Sequence, residues 1–133
     1  MWRVARRRPL VLWAEDNLQD QILIRATLED LPRAPEVRFS DDGVLLLEAL
    51  QGSKPALVVL DLKMPRLGGL EALRRIRAEP ALASLPVSVF SAGDHPEETA
   101  ACHRLGALDV VRKPVDFREF TAAVHGIVAK ARR

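Results

Sequence analysis

A short stretch near the middle of the chain does most to limit what it can fold into. Ala56-Leu57-Val58-Val59-Leu60 is apolar at every position and stops at an acid, Asp61. Leu62-Lys63-Met64-Pro65 follows, and then two glycines, Gly68 and Gly69. A half-buried strand alternates apolar and polar residues, so a run without alternation predicts a central parallel strand covered on both faces. An acid at its end sits at the carboxyl edge of the sheet, where open α/β sheets bind ligands and do chemistry. Asp61 is therefore the first candidate functional residue.

The pattern repeats along the chain. Leu10-Val11-Leu12-Trp13-Ala14 is another buried-strand run, Trp13 included as core, and it too ends in acids, Glu15-Asp16-Asn17. From 18 to 31, Ile22, Leu23, Ala26, Leu28 and Leu31 fall near helical spacing and predict an apolar stripe, closed by Pro32. Residues 36–40 alternate like a strand. Ser40, Asp41 and Asp42 are alternative caps for a helix carrying Leu46, Leu47 and Leu50, with Leu45 toward solvent and a break at Gly52.

Residues 69–78 predict a helix with Leu70, Leu73 and Ile76 on one face. Strands are expected at 86–91 and 108–111. Between them a helix runs from a cap at Asp94, with Pro96 in its first turn, to Leu105. A last helix over 116–130 turns Phe120, Val124, Ile127 and Val128 inward. Five strands alternating with five helices predict an α/β fold, a doubly wound parallel sheet covered on both faces. Right-handed crossovers favour the strand order 2-1-3-4-5, in which strands 1 and 3 are neighbours at the switch point.

The 133 residues suit one domain, expected over 9–130 between a basic tail at 1–8 and a short tail at 131–133. No apolar run is long enough to span a membrane, so no membrane partner is expected. The single cysteine, Cys102, can form neither an internal disulfide nor a metal cage, and points to the cytoplasm. The net charge of +2 hides an asymmetry. Arg3, Arg6, Arg7, Arg8, Lys130, Arg132 and Arg133 are seven of the 20 basic residues, which leaves 13 basic against 18 acidic, a net of −5, in the body. The ends read as solvated tails, and without a recognition helix beside them they predict no sequence-specific nucleic-acid binding.

The predicted strand order carries Glu15, Asp16 and Asp61 into one crevice. Three clustered acids are costly unless a cation joins them, and with oxygen ligands alone a hard ion such as Mg²⁺ is implied. Ser91 and Lys113 end the two neighbouring strands. A hydroxyl and an ammonium aimed at the same crevice suit an anion formed beside a metal, which points to phosphate chemistry. A metal-dependent phosphohydrolase also uses a strand-end Asp, but commonly with a second acid two residues on, where Lys63 stands. A nucleotide binder would need a Gly- or Ser/Thr-rich loop after strand 1, and Glu15-Asp16-Asn17 is not one.

These marks, Glu15-Asp16, Asp61 with Met64-Pro65 and Gly69, Ser91-Ala92 and Lys113-Pro114, resemble the response-regulator receiver domain of bacterial two-component signalling. The resemblance covers about residues 9–130 and implies the flavodoxin-like receiver fold. It implies that Asp61 accepts a phosphoryl group from a sensor histidine kinase or a histidine phosphotransfer protein, the domain catalysing no reaction beyond its own phosphorylation and dephosphorylation. It implies Mg²⁺, with Mn²⁺ as a substitute, on Glu15, Asp16, Asp61 and the backbone carbonyl of Lys63. Ser91 and Ala92 would bind phosphoryl oxygens, Lys113 would pair with them, and Lys113-Pro114 would be a cis peptide. Lys63 and Gly93 stand where the family tunes dephosphorylation, and supply no acid or amide to hold a water. Val110 replaces the aromatic switch residue that many receivers carry. The output is expected through contact with a downstream protein, with helix 4, strand 5 and helix 5 as partner or homodimer surface. Met1 and the end of the chain 20 residues after Lys113 favour a stand-alone receiver.

Overall fold

A computed structural model describes residues 8–131. The expected tails at 1–8 and 131–133 lie outside the described residues except for Arg8 and Ala131. The strands are β1 (Leu10–Ala14), β2 (Glu36–Ser40), β3 (Leu57–Leu60), β4 (Val87–Ser91) and β5 (Asp109–Arg112). The helices between and after them are α1 (Leu18–Glu29), α2 (Gly43–Gln51), α3 (Gly69–Ala78), α4 (Pro96–Arg104) and α5 (Phe117–Val128). Short 3-10 turns at Pro80–Leu82 and Ala129–Ala131 complete the described chain. All strand pairings are parallel, in the order β2-β1-β3-β4-β5, as the sequence predicts.

The unbroken apolar runs are explained by what lies on each side. Along β1, Leu12 and Ala14 face a core built with Leu46 and Leu50 of α2, Leu73 and Ile76 of α3 and Cys102 of α4. Val11 and Trp13 face a second core built with Ile24 and Leu28 of α1 and Phe120, Val124 and Ile127 of α5. β3 divides the same way, Val58 and Leu60 to one side and Leu57 and Val59 to the other. Side chains alternate across a strand, so a sheet buried on both faces needs an apolar residue at every position. Each such side chain contributes about 1.5–3 kcal/mol by leaving water.

Three helices start on side-chain caps. Asn17 accepts from the Asp20 amide at 3.0 Å, Asp42 from Leu45 at 2.9 Å and Asp116 from Glu119 at 3.0 Å. Asp42 thus settles the choice among Ser40, Asp41 and Asp42. Asp94 does not cap α4. His95 holds that position and makes no side-chain capping bond, and Pro96 opens the helix, its ring pre-set for the first helical position. The stripe expected on α1 holds at Leu23, Leu28 and Leu31, which pack into the second core, and is out of phase at Ile22 and Ala26. Ile22 is 60% exposed and Ala26 exposed, while Ile24, Thr27 and Leu28 are buried. Ile24 and Leu28, one turn apart, dock on β1, which turns Leu18 and Ile22 outward.

Candidate functional site

Pairing of β1 with β3 sets Ala14 beside Leu60, and the Asp61 amide donates to the Ala14 carbonyl at 3.1 Å. The residues immediately beyond, Glu15 and Asp61, thereby emerge together at the carboxyl edge of the sheet. Glu15 is fully buried and Asp61 nearly so, whereas Asp16 is exposed. One carboxylate oxygen from each lies within 4.8 Å of the other two. The loop after Asp61 folds back so closely that a Cβ on Gly69 would sit 2.2 Å from the Asp61 carbonyl oxygen, which only glycine avoids. Arg66, in the left-handed region at φ 64°, clasps the same loop to α2 through Asp42, Nε to Oδ2 at 2.8 Å.

The carboxyl ends of β4 and β5, the two strands beyond β3, supply the hydroxyl and the ammonium. Ser91 Oγ donates to Asp61 Oδ1 at 2.7 Å and accepts from the Leu62 amide at 3.3 Å. Lys113, its side chain 8% exposed, lies with Nζ 2.9 Å from Asp61 Oδ2, 2.8 Å from Asp20 Oδ2 and 2.7 Å from Glu15 Oε1. Its backbone amide donates to the Ser91 carbonyl at 2.9 Å, which ties the two strand ends together. Asp16, Asn17, Asp20, Asp61, Lys63, Ser91, Ala92 and Lys113 are among the residues that line an open cavity of about 520 Å³.

The charges are unbalanced by design of the sheet. Burial pushes the Glu15 carboxyl up to about 7, opposed by Lys113 and reinforced by the charge of Asp61. Burial alone would lower the Lys113 ammonium, yet hydrogen bonds to Asp20 and Asp61 and the Glu15 charge hold it above its ordinary value. Glu15 Oε1 is close to Nζ but outside hydrogen-bond geometry, so it is a buried oxygen with an ion-pair neighbour and no hydrogen-bond partner. Such an atom asks for a cation. The set contains only oxygen donors, so the residues present fit a hard divalent ion.

Asp20 was not singled out by sequence reasoning. It stands in the first turn of α1, where an acid reads as helix-dipole complement. The expected cis bond at Lys113-Pro114 is corrected, since none of the described peptide bonds is cis. The trans form is the lower-energy one even before proline, and from it Lys113 still reaches all three carboxylates. Lys63 points its ammonium to Glu98 of α4, at 2.7 Å, and its amide to Asp61 Oδ1, at 3.3 Å. Gly93 adopts φ 81°, and the Ala92 carbonyl lies 3.0 Å from His95 Nε2. Val110 pairs with Val89 and packs half-buried against the α2–α3–α4 side of the core.

Comparison with known proteins agrees with this geometry. The family model of the response regulator receiver domain matches residues 11–125. Protein-glutamate methylesterase/protein-glutamine glutaminase 4 of Myxococcus xanthus is 37% identical over 105 residues, which span 79% of this chain and 30% of that protein. The chain spans from 30% to 49% of the length of curated relatives such as this. Among solved structures, the phosphorylated cyanobacterial phytochrome response regulator RcpA superposes with a TM-score of 0.84 at 27% identity, covering 90% of this chain and 91% of that one. The Mn²⁺-bound form of response regulator Rcp1 superposes at 0.83 with 25% identity and the same coverage.

Proposed function

The chain belongs to the response regulator receiver family of two-component signalling, and from that premise we propose that Asp61 accepts a phosphoryl group from a phosphohistidine. An Asp61 oxygen attacks phosphorus, the new O–P bond forms as the P–N bond breaks, and the histidine nitrogen keeps the bonding electrons and takes up a proton. The donor is a sensor histidine kinase or a histidine phosphotransfer protein. A carboxylate is a competent covalent acceptor, and phosphoryl transfer needs mainly positioning and charge neutralisation.

The observation that carries this reading is the state of the Asp61 carboxylate. Ser91 holds one oxygen and Lys113 the other, at the wall of an open cavity. Ser91 and the Ala92 amide would meet the phosphoryl oxygens, and Lys113 would offset their charge. Glu15, Asp16, Asp61 and the Lys63 carbonyl would hold Mg²⁺, or Mn²⁺ in its place. When bound, the ion supplies further neutralisation of the phosphoryl oxygens. The Mn²⁺-bound and phosphorylated relatives support both parts of this reading.

The protein acts in the cytoplasm as a signalling module, its output being altered contact with a downstream protein. Drawing Ser91 toward a phosphoryl oxygen shifts the segment 91–95 and the start of α4. Val110 has no ring to swing, and its χ1 is restricted. The face made by α4, β5 and α5 is the surface offered to a partner or to a second copy. The basic ends read no DNA sequence. Among the described residues no helix is long and apolar enough to cross a membrane.

Incubation with acetyl phosphate and Mg²⁺, followed by intact mass, should add one phosphoryl group. Asp61→Asn and excess chelator should each abolish it. A label that persists in either condition would remove this mechanism.

A further inference from the structure

Asp20 contributes a fourth carboxylate to the site, and it lies outside the oxygen cluster of Glu15, Asp16 and Asp61. We infer that Asp20 is a positioning residue that competes with the phosphoryl group on Asp61 for Lys113, and so sets how readily the ammonium is released to that group. The inference rests on Asp61 being the phosphoacceptor.

An ammonium has three N–H donors and no more. In the resting site all three face carboxylates, with directed hydrogen bonds to Asp20 and Asp61 and the ion-pair contact to Glu15. Phosphorylation would make the Asp61 oxygen part of an acyl phosphate and place its negative charge on phosphoryl oxygens in the cavity. Lys113 must then exchange at least one partner. Glu15 is fully buried, whereas the Asp20 side chain is 25% exposed and lines the same cavity. Asp20 thus offers the ammonium a standing alternative that phosphorylation leaves unchanged.

Its backbone is well fixed for that role. The Asp20 amide donates to the Asn17 side chain. The next residue, Gln21, donates from Nε2 to the Glu15 carbonyl at 2.6 Å and to Asp41 Oδ1 at 3.0 Å. Holding the first turn of α1 against both neighbouring loops keeps the Asp20 carboxylate aimed at Lys113 instead of at solvent. A rival acceptor on a rigid element weakens the pairing it competes with.

The test is beryllofluoride binding at saturating Mg²⁺ and fixed ionic strength, measured for the unmodified protein, Asp20→Asn, Lys113→Met and the double variant. Competition predicts roughly three- to tenfold tighter binding in Asp20→Asn, a coupling in the range seen for groups in direct contact. In the Lys113→Met background the same substitution should change affinity less than twofold. Asp20→Ser, which also removes the charge, should reproduce the gain. Equal or weaker binding in Asp20→Asn, or an equal gain without Lys113, would overturn the inference alone. Failure of the unmodified protein to bind beryllofluoride would remove the phosphoacceptor reading and this inference with it.

Discussion

Two cations are sheltered at opposite ends of the sheet, and they are held in opposite ways. Lys113 at the carboxyl edge meets three carboxylates from three separate segments. Arg77, near the end of α3, meets only main-chain carbonyls. Its guanidinium donates to Leu85 and Leu105 at 2.7 Å each, to Gly106 at 3.3 Å and to Leu82 at 3.5 Å. Carboxylates hold Lys113 above its ordinary pKa, while burial among neutral dipoles pulls Arg77 below its own. The carbonyls belong to two separate turns, so Arg77 is a fixed clasp between the end of α3, the turn after it and the end of α4. Ionic partners can be exchanged for another anion, whereas main-chain partners cannot leave without the fold. One cation is placed to move and the other to stay.

Removing the movable charge should give the largest effect. Lys113→Met should lower the initial rate of phosphorylation by about 100-fold, the scale of losing one well-placed donor to a developing charge. Stopped transfer from acetyl phosphate, read by intact mass, measures it. A rate within threefold of the unmodified protein would show that Lys113 is no more exchangeable than Arg77.

Removing the fixed charge should act on folding and leave the chemistry alone. Arg77→Met takes the donors from partly buried carbonyls and should cost about 1–3 kcal/mol, with a fall in Tm of roughly 4–12 °C. The folded fraction should still be phosphorylated at the unmodified rate. If activity falls before stability does, the clasp is part of the signalling path.

Acidity sharpens the contrast further. Because the folded Glu15 carboxyl titrates near 7 instead of 4.5, the metal-free native state binds the extra proton between those values. Its contribution to stability is therefore lost as pH rises from 4.5 through 7, by at most about 3 kcal/mol. Divalent-ion binding must displace that proton. Mg²⁺ affinity should rise about tenfold from pH 6 to pH 8 and become flat in Glu15→Gln, as calorimetry would show. An unchanged profile in Glu15→Gln would assign the dependence to another group.

The smallest effect is expected at Lys63, a third and mostly exposed cation whose pairing with Glu98 is a surface contact. Lys63→Asn, combined with Gly93→Gln, should shorten the phosphoryl lifetime several-fold by providing amides to orient water. Slower decay would refute the tuning role of these positions.

How much of this was legible in the sequence follows from distance along the chain. Strand ends were readable because each short strand-like run, wholly apolar before Glu15 and Asp61 and mixed before Ser91 and Lys113, is a local pattern, and parallel packing aligns such ends by rule. Asp20 and Arg77 were not readable, because the partners of each lie on other elements and nothing in their neighbours marks the contact. The α1 stripe failed at Ile22 and Ala26 for a related reason. Leu18, Ile22, Leu23, Ile24 and Leu28 offer more than one helical phase, and only docking on β1 selects Ile24 and Leu28. Lys113-Pro114 shows the remaining limit, since either peptide form fits the same residues and the trans bond suffices to seat the ammonium.

The aromatic chain through the second core gives the molecule an optical readout of its own site. Trp13 meets Phe90 edge-on at 6.0 Å, and Phe90 immediately precedes Ser91 and lies 6.0 Å beneath the Lys113 ammonium. Displacement of Ser91 or Lys113 alters the field and contacts around that indole, whose Nε1 is buried without a hydrogen-bond partner. The sequence has one other tryptophan, Trp2, outside the described residues. With Trp2→Phe, emission from Trp13 alone should shift in wavelength or yield when the site fills, so that occupancy is followed in real time without a dye.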